Sequence, residues 1–192
     1  MTVCCAALLC AVPMVAMAQP VDPMDVMGKL NFHARTVGSQ LALVGTAAYA
    51  EILQVHGTPE EWGKSGGAYG KRFASALGSS AIHGVLAFGL DSALHQDPRY
   101  FRSLDKSFWR RSAHAFRGTI LTRTDSGGET LSTWRLGSDY GAAFLSNQWY
   151  PDRVNTVRLG LAEGTFRLGF DFVSNLASEF WPDVKRKLHR KP

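Results

Sequence analysis

Asp91 and His95 stand four residues apart, a spacing that brings two side chains onto one face of a helix. A carboxylate and an imidazole so placed are first-row metal ligands, and His114, on a separate helical stretch, would complete a set. The surrounding residues weaken that reading. No HExxH pattern and no histidine cluster accompanies the pair, and Asp-x-x-x-His also forms an ordinary charge-assisted pair on a helix. No metal and no cofactor is therefore expected. A second group of chemistry-bearing residues consists of acids and bases set close together in apolar surroundings: Asp97 with Arg99, Arg123 with Asp125, Arg135 with Asp139, and Arg167 with Asp171. Guanidinium groups hold carboxylates and phosphates through two parallel hydrogen bonds, so these pairs could frame an anion pocket. The plainer expectation is that they clamp loops to helix ends.

A nucleophile is harder to find. Asp125-Ser126-Gly127-Gly128 and Thr46-Ala47-Ala48 imitate two segments of trypsin-like serine proteases. The imitation fails where chemistry is needed: Tyr49 falls where the histidine base would stand, and Thr124 replaces the first glycine. Ser126 is expected to lie in a loop, without a base. All three cysteines, Cys4, Cys5 and Cys10, fall in the first eighteen residues. Met1–Ala18 is almost wholly apolar, carries no charge and ends in Ala16-Met17-Ala18, the small-x-small pattern of a signal-peptidase site. The expected mature chain begins at Gln19, contains no thiol, and so excludes disulfides, thiolate metal sites and cysteine catalysis.

The elements that would position these residues read as helices. At 192 residues the chain suits one domain. Helical spacing runs loosely from Asp22 to Arg35 and more firmly from Ser39 to Val55, with a stop at His56-Gly57-Thr58-Pro59. The longest helix is expected over Gly66–His95, where Gly66, Gly70, Ala74 and Gly78 recur every four residues as a face for close helix packing. Asp97-Pro98 would cap a short helical turn reaching Arg102. Ser107–Thr122 reads as a basic amphipathic helix, with Trp109, Ala113, Phe116 and Ile120 on the face expected to be buried and Arg110, Arg111, His114 and Arg117 largely on another. Arg123–Thr130 is a loop, Leu131–Trp149 a helix, and Asn155–Phe180 a helix closed by Trp181-Pro182. The fold class is all-α: a single-domain bundle of about five helices, with a signal peptide over 1–18, the helical domain over 19–184 and a basic tail over 185–192.

Charge adds a location. The excess of five positive charges resides in Lys185, Arg186, Lys187, Arg190 and Lys191, and the rest of the chain is balanced. A basic tail on an exported chain suits an anionic membrane surface or another envelope protein better than nucleic acid. No uninterrupted apolar run reaches the ~18 residues of a plain membrane span.

The segments His95-Gln-Asp-Pro-Arg-Tyr100, Thr122-Arg-Thr-Asp-Ser-Gly127, Trp149-Tyr-Pro151 and Phe180-Trp-Pro-Asp183 together resemble an uncharacterised family of exported bacterial proteins. The resemblance covers the chain from Gly66 onwards and implies no reaction and no catalytic residue. The expected function is that of an exported, periplasmic or outer-membrane-associated envelope protein with a structural or interaction role. The alternatives are a membrane-associated helical protein assembling through glycine-rich helices, and an envelope enzyme using the Asp, His and Arg residues above.

Overall fold

A computed structural model describes residues 22–189. The expected signal segment, the three cysteines and Arg190–Pro192 lie outside the described residues. Six α-helices and one small hairpin make up the fold: α1 (Val26–Gly38), α2 (Gln40–His56), α3 (Gly66–Ala93), α4 (Phe108–Ile120), β1 (Leu121–Arg123), β2 (Glu129–Leu131), α5 (Thr133–Asn147) and α6 (Val157–His189). The chain is essentially all-α and forms one domain.

Local chemistry sets most of the boundaries. Asp25 caps α1 by accepting from the Gly28 amide at 2.7 Å, and Ser39 and Ser65 cap α2 and α3 in the same way. Gly57 closes α2 in the left-handed conformation, φ +65°, which a side chain disfavours. β1 and β2 pair antiparallel, Leu121 with Leu131 and Arg123 with Glu129. Where only a loop is expected, the segment after α4 thus returns on itself as a hairpin.

Two further boundaries depart from expectation. No helical turn follows Asp97. Its amide donates to the Arg123 carbonyl at 2.8 Å and its carbonyl accepts from Thr122 Oγ1 at 2.7 Å, so the hairpin takes the backbone groups a helix would need. Residues 97–106 run as an irregular strap. Nor does Pro182 end α6, which continues to His189. The Arg111 guanidinium grips Glu179 on one side of the proline and Asp183 on the other, holding the flanking turns in line.

α3 and α5 form the central pair. α1 and α2 pack on α3; the first half of α6 packs on α5 and its second half on α4. The interior these helices enclose is polar. Inward positions of α3 are Ala68, Arg72, Ser75, Ser79, Gly84, Ala87 and Asp91; those of α4 are Arg111, Ala115 and Thr119. On α6 the buried face is Gly160, Gly164, Asn175 and Glu179. Among the described residues, the only buried large apolar side chain is Trp134, while the other buried apolar residues are alanines and two loop prolines, Pro59 and Pro98. The outer faces carry the bulk: Leu41, Val44, Ile52 and Val55 on α2, and Val157, Leu161, Phe166, Phe170, Val173, Trp181, Val184 and Leu188 along α6. This is the reverse of a water-soluble amphipathic helix.

The reversal corrects two expectations. The Trp109–Phe116 face of α4 points outward, with Trp109 78% exposed, and Arg111 takes the buried side. Among the described residues, the stripe Gly66, Gly70, Ala74 and Gly78 packs against no other helix, because a Cβ added at any of its three glycines would meet open space. Close approach does occur, at other glycines. A Cβ on Gly160 would come within 2.6 Å of the Phe144 ring, one on Gly137 within 2.7 Å of Leu90, and one on Gly84 within 2.8 Å of Val37.

Candidate functional site

Three polar centres tie the helices together. The first lies where α1, the end of α3 and the hairpin tip meet. His33 Nε2 is 2.6 Å from Asp91 Oδ2, with both side chains buried, and Trp134 packs edge-on against the imidazole at 5.6 Å. One turn earlier on α1, Lys29 Nζ donates to Asp125 Oδ2 at 2.8 Å and to the Asp91 carbonyl at 3.1 Å. Helical periodicity explains the arrangement: Lys29 and His33 are four residues apart, so both point to the same neighbour.

The predicted metal set is not assembled there. Asp91 is committed to His33. His95 lies at the end of the helix with φ +51° and is 82% exposed, its Nδ1 3.7 Å from Asp125. His114 faces elsewhere, its Nε2 2.8 Å from the Phe101 carbonyl. Among the described residues no group of three His, Cys, Asp or Glu side chains is placed to hold a metal ion.

The second centre joins α3, α5 and α6. His83 Nε2 lies 3.1 Å from Asp139 Oδ1, and Arg135 Nε lies 2.9 Å from Asp171 Oδ2. Arg135 also donates to the Gly118 carbonyl at 2.9 Å, which fastens α5 to the end of α4. The sequence pairs are thus exchanged. Asp97 and Arg99 do meet, at 2.5 Å. Arg135 takes Asp171 instead of Asp139, Arg167 donates to Ser79, and Asp125 takes Lys29 while the Arg123 guanidinium lies over the Phe101 ring at 4.4 Å. Apart from Asp97 with Arg99, these ion pairs join elements distant in the chain, and they do not converge on one anion pocket.

The third centre fastens the strap to α4 and α6. Glu179 is fully buried and accepts from Arg111 Nε at 2.9 Å, Tyr100 Oη at 2.8 Å and the Ser103 amide at 3.0 Å. Burial and the bond to Glu179 push the Tyr100 hydroxyl well above the ordinary phenol range. Asp183 receives Arg111 Nη1 at 2.5 Å, and Arg111 and Arg186 together hold its carboxyl below the usual range. Beside this centre opens a groove of about 1,090 Å³, walled by Tyr100, Arg102, Lys106, Arg111 and Lys187.

Ser126 sits on the hairpin turn, its Oγ 2.9 Å from Thr124 Oγ1. A threonine hydroxyl does not accept a serine proton at neutral pH. Ser126→Ala should therefore leave the melting midpoint unchanged within about 0.5 kcal/mol, and a serine-directed phosphonate should label neither form. Labelling that vanishes in the variant would give Ser126 a nucleophilic role.

Sequence reasoning missed Lys29, His33 and Glu179. Nothing in the sequence links His33 to Asp91, which is 58 residues away. Glu179 did leave a signal. Asp171, Asn175, Glu179 and Asp183 recur every four residues, a polar stripe opposite the apolar one on the same helix. Comparison with protein-family models, with curated proteins and with solved structures finds no match.

Proposed function

We propose that this is a membrane-associated helical protein of the cell envelope, held together by polar and small residues and turning its apolar faces to lipid. The observation that carries the reading is the inverted distribution of side chains. Buried positions hold Lys29, Arg72, Asp91, Arg135, Asp139 and Glu179, whereas leucines, valines, phenylalanines and tryptophans line the outside. In water, contiguous apolar surface of this kind promotes association, because nothing offsets the cost of hydrating it. In a bilayer the same surface needs no protein cover. Helices there associate through small residues that let backbones approach and through side-chain hydrogen bonds that the lipid cannot replace.

α3 is the segment suited to cross. It has 28 residues and contains an 18-residue window of mean hydropathy 1.4 with few charges. At 1.5 Å per residue it exceeds the ~30 Å hydrocarbon thickness. α4 and the second half of α6 combine exposed aromatic residues with Arg110, Lys185, Arg186 and Lys187, the composition of an interfacial segment. The role that follows is structural or interactive: most of the buried charges are spent within the fold, in ion pairs such as His33–Asp91, Arg135–Asp171 and Arg111–Glu179 and, for Arg72, on Gln54 and the Thr58 and Pro59 carbonyls, and the surface offers docking area to lipid or to another envelope protein.

Fractionation of native membranes tests the reading. The protein should stay in the pellet through high salt and alkaline carbonate and leave it only with detergent. Release by salt alone would make it peripheral and would overturn the bilayer-embedded arrangement.

A further inference from the structure

We infer that the groove between the strap, the N-terminal turn of α4 and the C-terminal turns of α6 is a binding site for the headgroup of an anionic phospholipid. The inference rests on the membrane reading above and names the ligand that reading leaves open. The groove's acids are already neutralised. Asp183 is held by Arg111 and Arg186, and Asp105 by Arg110 at 3.3 Å and the Ser107 amide at 2.9 Å. Arg102, Lys106 and Lys187 also line the groove, are exposed, and pair with no carboxylate among the described residues. Three unspent cations around one concavity make it attractive to an anion, and phosphate oxygens suit Arg and Lys together.

An apolar strip beginning at the same wall specifies a lipid over a free anion. The Arg111 guanidinium lies over the Phe180 ring at 4.4 Å, Phe180 packs on Phe108 at 5.1 Å, and Phe108 meets Trp109 edge-on at 5.3 Å. Phe108 and Trp109 are exposed, and Leu104, on the groove wall, is 70% exposed. A soluble phosphate compound would use the cations and ignore the strip. A phospholipid uses both: its phosphate lies among Arg102, Lys106 and Lys187, and its acyl chains run along the aromatic surface.

The full chain, purified in a non-ionic detergent, would be titrated with dioctanoyl phosphatidylglycerol, dioctanoyl phosphatidylcholine and inorganic phosphate, followed by tryptophan fluorescence and calorimetry. Saturable binding of phosphatidylglycerol, at least about tenfold tighter than phosphatidylcholine, is expected, because each basic side chain adds attraction to an anionic headgroup. The variant Arg102→Gln/Lys106→Gln/Lys187→Gln should lose that preference while melting like the wild type. Lys106→Gln/Lys187→Gln, with Arg102 retained, should weaken it partially and serves if the triple variant does not fold. Equal binding of the two lipids, or an unaltered preference in the variants, overturns the proposal. Inorganic phosphate binding as tightly as phosphatidylglycerol would overturn the lipid assignment in favour of a phosphate site. The two readings fail separately. Salt-extractable protein that still prefers phosphatidylglycerol loses the embedded bundle and keeps the groove, whereas detergent-only extraction without lipid preference does the opposite.

Discussion

Replacing Glu179 by alanine should lower stability by about 3–5 kcal/mol, the cost of breaking a buried ion pair from one side. Glu179 is 0% exposed and receives three donors from two separate segments: Arg111 of α4, and Tyr100 and Ser103 of the strap. Its removal leaves a phenol and an amide without an acceptor and a guanidinium with Asp183 as its remaining carboxylate. Because Asp183 still offsets part of the Arg111 charge, the loss belongs at the lower end of the range. Glu179→Gln keeps an acceptor and forfeits the charge, so it should cost about half as much. Thermal melts by circular dichroism in detergent would give both values. The geometry also fixes a double-mutant result: Arg111→Met with Glu179→Met should cost less than the sum of the two single changes, since the pair leaves no uncompensated charge on either side, although Tyr100 and the Ser103 amide still lose their acceptor and Asp183 keeps Arg186 alone. A Glu179→Ala protein that melts with the wild type would mean that the strap is not anchored through this carboxylate.

The same residues show how far the sequence reaches and where it stops. Helix positions follow from local rules, and local rules are what a sequence displays. The Ser39 and Ser65 caps and the Gly57 stop are read within three or four residues of where they act. The direction in which each helix faces is a different matter. Trp109 and Phe116 share a stripe that was expected to face inward, because in water an apolar stripe seeks the core. They face outward, while Arg111 and Glu179 face in. Periodicity identifies two faces and leaves open which one the fold encloses; that depends on the solvent. An uninterrupted apolar run is a stricter signal than a window average. α3 is interrupted by Ser75, Ser79, Ser80 and His83, small or polar residues that a bundle interior accepts when they are hydrogen-bonded, and its average over eighteen residues is still apolar. As for the candidate site, Asp91, Asp97, Arg99, Asp125, Arg135 and Asp139 all enter the polar network, but apart from Asp97 with Arg99 their partners come from elsewhere in the chain. Pairings such as His33 with Asp91 are set by the stacking of α1 on α3, and no local pattern encodes it.

Gly164→Leu should cost about 3 kcal/mol, at or above the upper end of ordinary overpacking, while Gly70→Leu should leave the melting midpoint of the isolated protein close to that of the wild type. The contrast follows from what each added side chain meets. A Cβ on Gly164 would run into the Tyr140 ring, touching the root of that ring as well as its edge, and the ring cannot swing away as the tip of a lysine could. Tyr140 is further tied to α6 by its hydroxyl, 3.0 Å from Thr165 Oγ1. One turn earlier, Gly160 meets the Phe144 ring in the same way, so the two glycines form one seam in which α5 supplies aromatic rings and α6 supplies the room for them. A leucine in that seam must push the helices apart, and the Arg135–Asp171 ion pair, two turns further along the same interface, would be stretched with it. On Gly70 the added side chain enters open space on the outer face of α3, and replacing a helical glycine returns about 1 kcal/mol of backbone entropy that offsets any local crowding. Paired melts of the two variants decide the matter. Equal and large losses would restore the Gly66–Gly78 stripe as a packing face; a Gly164→Leu protein as stable as the wild type would show that α5 and α6 do not depend on the seam for their contact.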